Sequence, residues 1–258
     1  MDIEKHKKQF GNQAENYTKY RKPYIEKLYD LLFSLVPTED SKKILDVACG
    51  TGKSTESLVR ENVEVFGCDH DPLMILEAEK QAHLKGLPIS YSVGEAENLP
   101  FKGGQFDVVT VGTAFHFFVN DKSVLEIKRV LNDRGLFFVF WTLTTKDILE
   151  EDSVPASFFQ SFKWDRVPSQ LRDLDTISDF LKDQGLQRVE TARISFTHND
   201  TVEEQVGLMK TASSYGLLSE GEKERFVSEL TKLLTIKLGT RPYFTFEEEI
   251  QVCYGFKN

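Results

Sequence analysis

Between Lys43 and Trp141 five short apolar runs alternate with longer mixed stretches, and that alternation leaves the chain few architectures to choose from. The runs Lys43–Ala48, Val63–Asp69, Ile89–Val93, Phe106–Gly112 and Leu136–Trp141 have the length and apolar character of buried strands. Helices are expected over about Lys53–Glu61, Pro72–Lys85 and Asp121–Leu131, with Pro72 suited to a first turn and Asn120 or Asp121 to a cap. Asp133–Gly135 is expected to break the chain ahead of the fifth strand. Strands separated by helices pair in parallel through right-handed crossovers, so a doubly wound, mostly parallel α/β sheet is predicted.

The flanks read differently. Tyr24, Leu28, Leu31, Leu32 and Leu35 fall at helical spacing before Pro37 stops the pattern. Leu174–Gln184 reads as a helix ended by Gly185. Leu186–Thr197 and Tyr243–Phe256 read as two late strands, with helices at about 201–214 and 219–238 between them. The late pair suits a sheet edge, one strand antiparallel, which brings the sheet to seven strands. The expected organisation is a single domain over 1–258. Residues 1–40 would be a helical cap and 41–142 a ligand-binding half; 143–258 would be a substrate-side half with a helical insertion at about 199–240.

A chain of 258 residues is long enough to bury roughly three-quarters of its surface on folding. Its 40% hydrophobic and 28% charged content is that of a globular protein. No apolar run is long enough to cross a membrane, and MDIEKHKKQFGNQ lacks the core of a secretory signal, so a cytoplasmic location without membrane attachment is expected. The formal charge of −9 and the absence of a basic stripe argue against a nucleic-acid partner. Three scattered cysteines, Cys49, Cys68 and Cys253, form no metal-ligand spacing with the five histidines, so neither a disulfide framework nor a metal site is expected. A monomer or a homodimer is expected.

The chemistry centres on Ile44-Leu45-Asp46-Val47-Ala48-Cys49-Gly50-Thr51-Gly52, a strand running into a glycine turn. Glycines at 50 and 52 let backbone approach a ligand where a Cβ would clash, beyond the carboxyl end of a strand. A dinucleotide fingerprint needs a third glycine three residues on, where Thr55 stands. Val65-Phe66-Gly67-Cys68-Asp69 then ends in an acid a little over twenty residues past Asp46, placed to accept both hydroxyls of a ribose. The competing role for Asp69, capping the next helix, falls more naturally to Asp71. Two further motifs follow, Val93-Gly94-Glu95-Ala96-Glu97-Asn98-Leu99-Pro100-Phe101 and Phe106-Asp107-Val108-Val109 running on to Gly112-Thr113-Ala114-Phe115-His116-Phe117-Phe118.

In this order and spacing the four motifs resemble those of the class I S-adenosylmethionine-dependent methyltransferases, in the small-molecule group with DVGCGTG, GDAExLPF and FDxVxxxxAxHW patterns. The resemblance covers about Ile44 to Phe138. A looser one, through Phe10, Ala14, Tyr17, Tyr20-Arg21 and Pro23-Tyr24, is to the opening of trans-aconitate methyltransferase-like proteins. It implies a Rossmann-like sheet and S-adenosylmethionine as cofactor. Asp46 would hold the cofactor's amino group directly or through water, while Ala48 and the Gly50–Gly52 backbone pack on its methionine part. Asp69 would bind the ribose, His70 or Met74 would pack on adenine, and Glu95 and the Ala96 amide would meet the adenine edge. The backbone at Gly112–Thr113 would touch the methionine end. Tyr17, Tyr20 and Arg21 would lie on a closing helix, with Arg21 toward a carboxylate. Ala48, Glu95 and Phe117 depart from the commoner glycine, aspartate and tryptophan.

His116 is the candidate general base, with a packed aromatic as its competing role. A carboxylate acceptor would need no base, being ionised at neutral pH, and Arg21, Arg166 or Arg241 would orient it. Phe115, Phe117, Phe118, Phe137, Phe138, Phe140 and Trp141 are expected mostly in the core, with a few lining an aromatic pocket. Two other classes are a cofactor-binding protein without catalysis and a nicotinamide oxidoreductase, the second disfavoured by Thr55.

Overall fold

The computed structural model describes residues 9–36, 40–146, 154–162, 164 and 173–258. Its sheet has seven strands: β1 (Lys42–Val47), β2 (Val63–Asp69), β3 (Ile89–Val93), β4 (Phe106–Gly112), β5 (Leu131–Lys146), β6 (Gln187–Asp200) and β7 (Phe244–Phe256). Their order across the sheet is β3-β2-β1-β4-β5-β7-β6. β1 pairs in parallel with β2 and β4, β2 with β3, and β4 with β5, while the C-terminal strand is antiparallel. Chain order reverses direction at β1, flanked by β2 on one side and β4 on the other, so the switch crevice opens at its carboxyl end.

The helices are α1 (Ala14–Tyr20), α2 (Glu26–Leu35), α3 (Lys53–Glu56), α4 (Pro72–Lys85), α5 (Asp121–Val130), α6 (Ala156–Ser161), α7 (Leu174–Asp183), α8 (Val202–Lys210), α9 (Ser213–Gly216) and α10 (Glu220–Leu238). Single 3-10 turns occupy Gly11–Gln13 and Phe115–Phe117. Caps read from sequence form as expected: the Asn120 side chain accepts from the Ser123 amide, and Asp71 accepts from Leu73.

Several boundaries differ from expectation. Tyr24 lies outside a helix, because the chain after α1 is extended through Pro23 before α2 begins. The helix after the glycine turn stops at Glu56 instead of reaching Glu61. There Ser57, Leu58 and Val59 tighten into i−3 bonds, and the Arg60 guanidinium takes the carbonyls of Ser57 and Val59. Asp133–Gly135 does not end the preceding element but becomes an irregularity inside β5, where pairing jumps from Phe106↔Leu131 to Val108↔Leu136 with Arg134 at φ 64°. The helix expected over 201–214 is broken after Lys210, where the Thr211 hydroxyl bonds back to the Leu208 carbonyl at 2.7 Å.

The chain divides into two compact units. One comprises Lys22–Thr142, Pro168–Ile194 and Ile250–Asn258. Its core includes Leu45, Val47, Val109, Val111, Phe115, Phe137, Trp141, Ile177 and Cys253. The other comprises Met1–Arg21, Leu143–Val167 and Ser195–Glu249, with its own core of Phe162, Val206, Tyr215, Phe226, Leu230, Leu234 and Phe244. No described helix is long and apolar enough to cross a membrane.

Candidate cofactor site

In the first unit, the carboxyl ends of β1, β2, β3 and β4 carry the sequence-predicted residues. Asp46 lies opposite Gly67 on β2 and Thr110 on β4. Its carboxylate is wholly buried and accepts three hydroxyls: Ser54 at 2.5 Å, Thr55 at 2.7 Å and Thr110 at 3.1 Å. Burial pushes the Asp46 carboxyl up to about 6, against the lowering effect of those hydroxyls, and the Asp69 charge adds to the rise. Asp46 thus ties β1, β4 and α3 into one frame. Thr55, noticed in the sequence only as an absent glycine, is one of the residues that hold it.

The turn that follows turns backbone toward the crevice. Ala48, Gly50 and Gly52 have φ of 55°, 55° and 82°, the left-handed region that glycine enters at no steric cost. The two glycines serve different ends. A Cβ on Gly50 would meet nothing within 4 Å, so that face of the turn is open. A Cβ on Gly52 would strike the Tyr91 hydroxyl, and one on Gly67 would come within 2.5 Å of the Tyr91 ring. Gly52 and Gly67 therefore make room for a tyrosine of β3, and Gly50 leaves its face of the turn open. Ala48 holds the same backbone region with a side chain, a strain the sequence did not reveal.

Asp69 closes β2 and is 6% exposed. Its Oδ2 accepts the Gly50 amide at 2.9 Å, which joins the glycine turn directly to the predicted ribose acid. Its Oδ1 accepts the Asp71 amide at 2.9 Å and faces His70 Nδ1 at 3.1 Å. The bond to Asp69 raises the His70 pKa against the lowering effect of burial, and the charges of Asp69, Glu95 and Asp71 assist. Met74 is 3% exposed and packed into the unit, so of the two adenine candidates His70 is the one with accessible surface.

The third and fourth strands complete the rim. The Gly94 amide bonds the Asp69 carbonyl at 2.9 Å, leading into a turn from Glu95 to Asn98 in which Glu95 is exposed and Ala96 buried. Thr113, just past Gly112, has φ 52°, an outlier for a β-branched residue. Two bonds hold it: its amide to the Phe140 carbonyl at 2.8 Å, and its hydroxyl with the Tyr24 hydroxyl at 2.7 Å. Tyr24, whose ring meets Phe140 edge-on at 4.8 Å, is a rim residue that sequence reasoning read only as part of a motif and a helix. His116 is 3% exposed, with its ring 4.1 Å from that of Phe117. Phe115, Phe118, Phe137, Phe138, Phe140 and Trp141 are all buried, which leaves only Phe117 partly buried among the aromatics named for a pocket.

Tyr17 and Arg21 belong to the second unit. There the Arg21 Nε donates to the Thr211 hydroxyl at 2.8 Å, and its guanidinium lies 5.3 Å from the Tyr17 ring centre. Arg241 spends its guanidinium on the Leu238 and Lys237 carbonyls at the end of α10, and Arg166 lies outside the described residues. No group of three or more His, Cys, Asp and Glu able to hold a metal occurs among the described residues. The three cysteines are buried, and burial raises all three thiols, Cys68 and Cys253 to about 12.

Chemically, this rim is acidic. Asp69, Asp71 and Glu95 gather at or near the ends of β2 and β3, and α3 is a single turn with little dipole to offer an anion. A pyrophosphate is disfavoured there.

Known proteins place this arrangement. A family model described as a methyltransferase domain matches residues 45–139. A methyltransferase-like protein of Schizosaccharomyces pombe is 25% identical over 96% of this chain and 92% of its own length. Among solved structures, the YcgJ protein of Bacillus subtilis superposes with a TM-score of 0.57 at 18% identity, covering 91% of this chain and 99% of that one. A phosphoethanolamine N-methyltransferase of Haemonchus contortus, solved with phosphomonomethylethanolamine and S-adenosylhomocysteine, gives 0.57 at 17% identity over 96% of this chain and 57% of its own. At those identities the two structures speak for the fold. Residues 45–139 thus match a methyltransferase domain, carried on a sheet of the Rossmann-like methyltransferase fold.

Proposed function

We propose that this enzyme binds S-adenosylmethionine at the carboxyl ends of β1 to β4 and transfers its methyl group to a small-molecule acceptor. One observation carries the reading: the 2.9 Å bond from the Gly50 amide to Asp69, which makes the open glycine and the ribose acid parts of one cradle. In this reading Ala48 and Gly50 face the methionine part. Gly52 shapes the turn from behind, Asp69 takes the ribose, and Glu95 and the Ala96 amide take the adenine edge. His70 rather than Met74 lies against the ring, and Gly112 and Thr113 border the methionine end. Asp46, closed to solvent by its three hydroxyls, acts on the cofactor through the turn it holds. Tyr17 and Arg21 are assigned to the cofactor by resemblance alone, Arg21 toward a carboxylate.

The cofactor, when bound, supplies an activated methyl on sulfur with a neutral leaving group. The chain's task is to align the acceptor and exclude water. Positioning of this kind is worth roughly 7–11 kcal/mol, against about 3–5 kcal/mol for a general base. A base is therefore optional, and the burial of His116 against Phe117 supports a packing role at least as well as proton transfer.

Incubation with methyl-labelled S-adenosylmethionine and a panel of carboxylate, amine and phenol metabolites tests the proposal. Label is expected in one acceptor class. Label found only in protein or nucleic acid would overturn the small-molecule reading. If His116 is the base, His116→Ala lowers turnover at least a hundredfold; a wild-type rate across pH 6–9 assigns it to packing.

A further inference from the structure

Asp69 has more donors than a ribose-binding carboxylate can keep. A carboxylate offers about four lone-pair positions. Three are engaged, by the Gly50 amide on Oδ2 and by the Asp71 amide and His70 Nδ1 on Oδ1. A ribose diol brings two hydroxyls, so one donor must leave. The Gly50 amide is fixed by the turn, which the Gly52 amide closes onto the Cys49 carbonyl at 3.0 Å. The Asp71 amide is fixed by its place at the N-cap of α4, where the Asp71 side chain also binds Leu73. Only the His70 contact can open by side-chain rotation, and that side chain is 29% exposed.

We infer that His70 is a displaceable lock on the ribose-binding carboxylate: its imidazole leaves Asp69 as the cofactor's diol arrives, and a proton is given up to the solvent when it does. The inference rests on the assignment of Asp69 to the ribose. Charged groups around the imidazole come from three elements: Asp69 on β2, Asp71 at the start of α4, and Glu95 after β3. All are acids and all favour imidazolium. The bond to Asp69 is the largest of these influences, so losing it favours the neutral ring. Binding then competes with protonation. The sign follows: affinity is weakest where His70 is charged, strengthens as pH rises through its titration, and levels off above it. His70 therefore makes cofactor capture a function of pH in the range where histidine titrates.

Calorimetric titration of S-adenosylhomocysteine into the full chain, from about pH 6 to about pH 8.5, reads this directly. Wild type is expected to gain roughly three- to tenfold in affinity over that range. In two buffers of different ionisation enthalpy, it should release a fraction of a proton near neutrality. His70→Phe, which keeps a ring for adenine and loses the donor, is expected to show a flat profile with no release. Asp46, which also titrates near pH 6, is common to both proteins, so the difference between profiles isolates His70. A flat wild-type profile, proton uptake, or the same slope in His70→Phe would overturn the lock. Asp69→Ala separates the two levels. If it binds as tightly as wild type, the ribose assignment falls and the lock with it. If it binds weakly while wild type is flat, the lock alone falls.

Discussion

At the scale of single residues, two positions carry strain or charge that the motif spelling conceals. Ala48 stands in the left-handed region at φ 55°, which costs a non-glycine residue about 1–2 kcal/mol. Ala48→Gly is therefore expected to stabilise the chain by about 1 kcal/mol in urea unfolding, after the added freedom of the unfolded glycine is subtracted. No gain would show that neighbours have relaxed around the methyl group. Asp46 gives a pH dependence with a definite sign. Its pKa is about 6 when folded against an ordinary 3.8, so the folded state binds more protons between those values. Its contribution is fully present below about pH 4 and is lost as pH rises to about 6, on the order of 3 kcal/mol. The stability of wild type relative to Asp46→Asn should fall across that window and stay level above it. A difference that rises with pH would contradict the burial account.

At the scale of elements, the glycines divide by function. Gly67→Ala should cost about 1–3 kcal/mol through overpacking against Tyr91, with little effect on ligand affinity per folded molecule. Gly50→Ala should cost about 1 kcal/mol from its positive φ and also weaken S-adenosylhomocysteine binding, because its Cβ would enter the open side of the turn. Equal effects on binding would remove the distinction. Most elements were legible because period and length agree: β2, β3, β4 and α4 occupy the very residues their patterns mark. What sequence missed depends on contacts between elements. The end of α3 is set by Arg60 reaching back to carbonyls, and the extension of β5 by a register jump opposite Phe106 and Val108. In the site, Asp46, Asp69 and the glycines could be read from spacing. Ser54, Thr55 and Thr110 could not, because short hydroxyl side chains gain meaning only once β4 and α3 are folded around one carboxylate.

At the scale of the whole molecule, S-adenosylmethionine is expected to stabilise the folded chain. Saturation with S-adenosylmethionine at a hundredfold excess over Kd should add about 2.7 kcal/mol to unfolding free energy. An unchanged melting curve would place the ligand elsewhere or nowhere. The late helices α8 to α10 build a core of their own around Phe226, Leu230 and Leu234, and their sequences carry no motif from which an acceptor can be read. We propose that the glycine turn and Asp69 form one cofactor cradle, joined by the bond from the Gly50 amide. Titration of S-adenosylhomocysteine into wild type and Asp69→Ala side by side tests it most directly. A single-site isotherm in wild type, weakened at least about tenfold in the variant, or about 1.4 kcal/mol, is predicted. Binding absent from wild type, or identical isotherms for the two proteins, would contradict it.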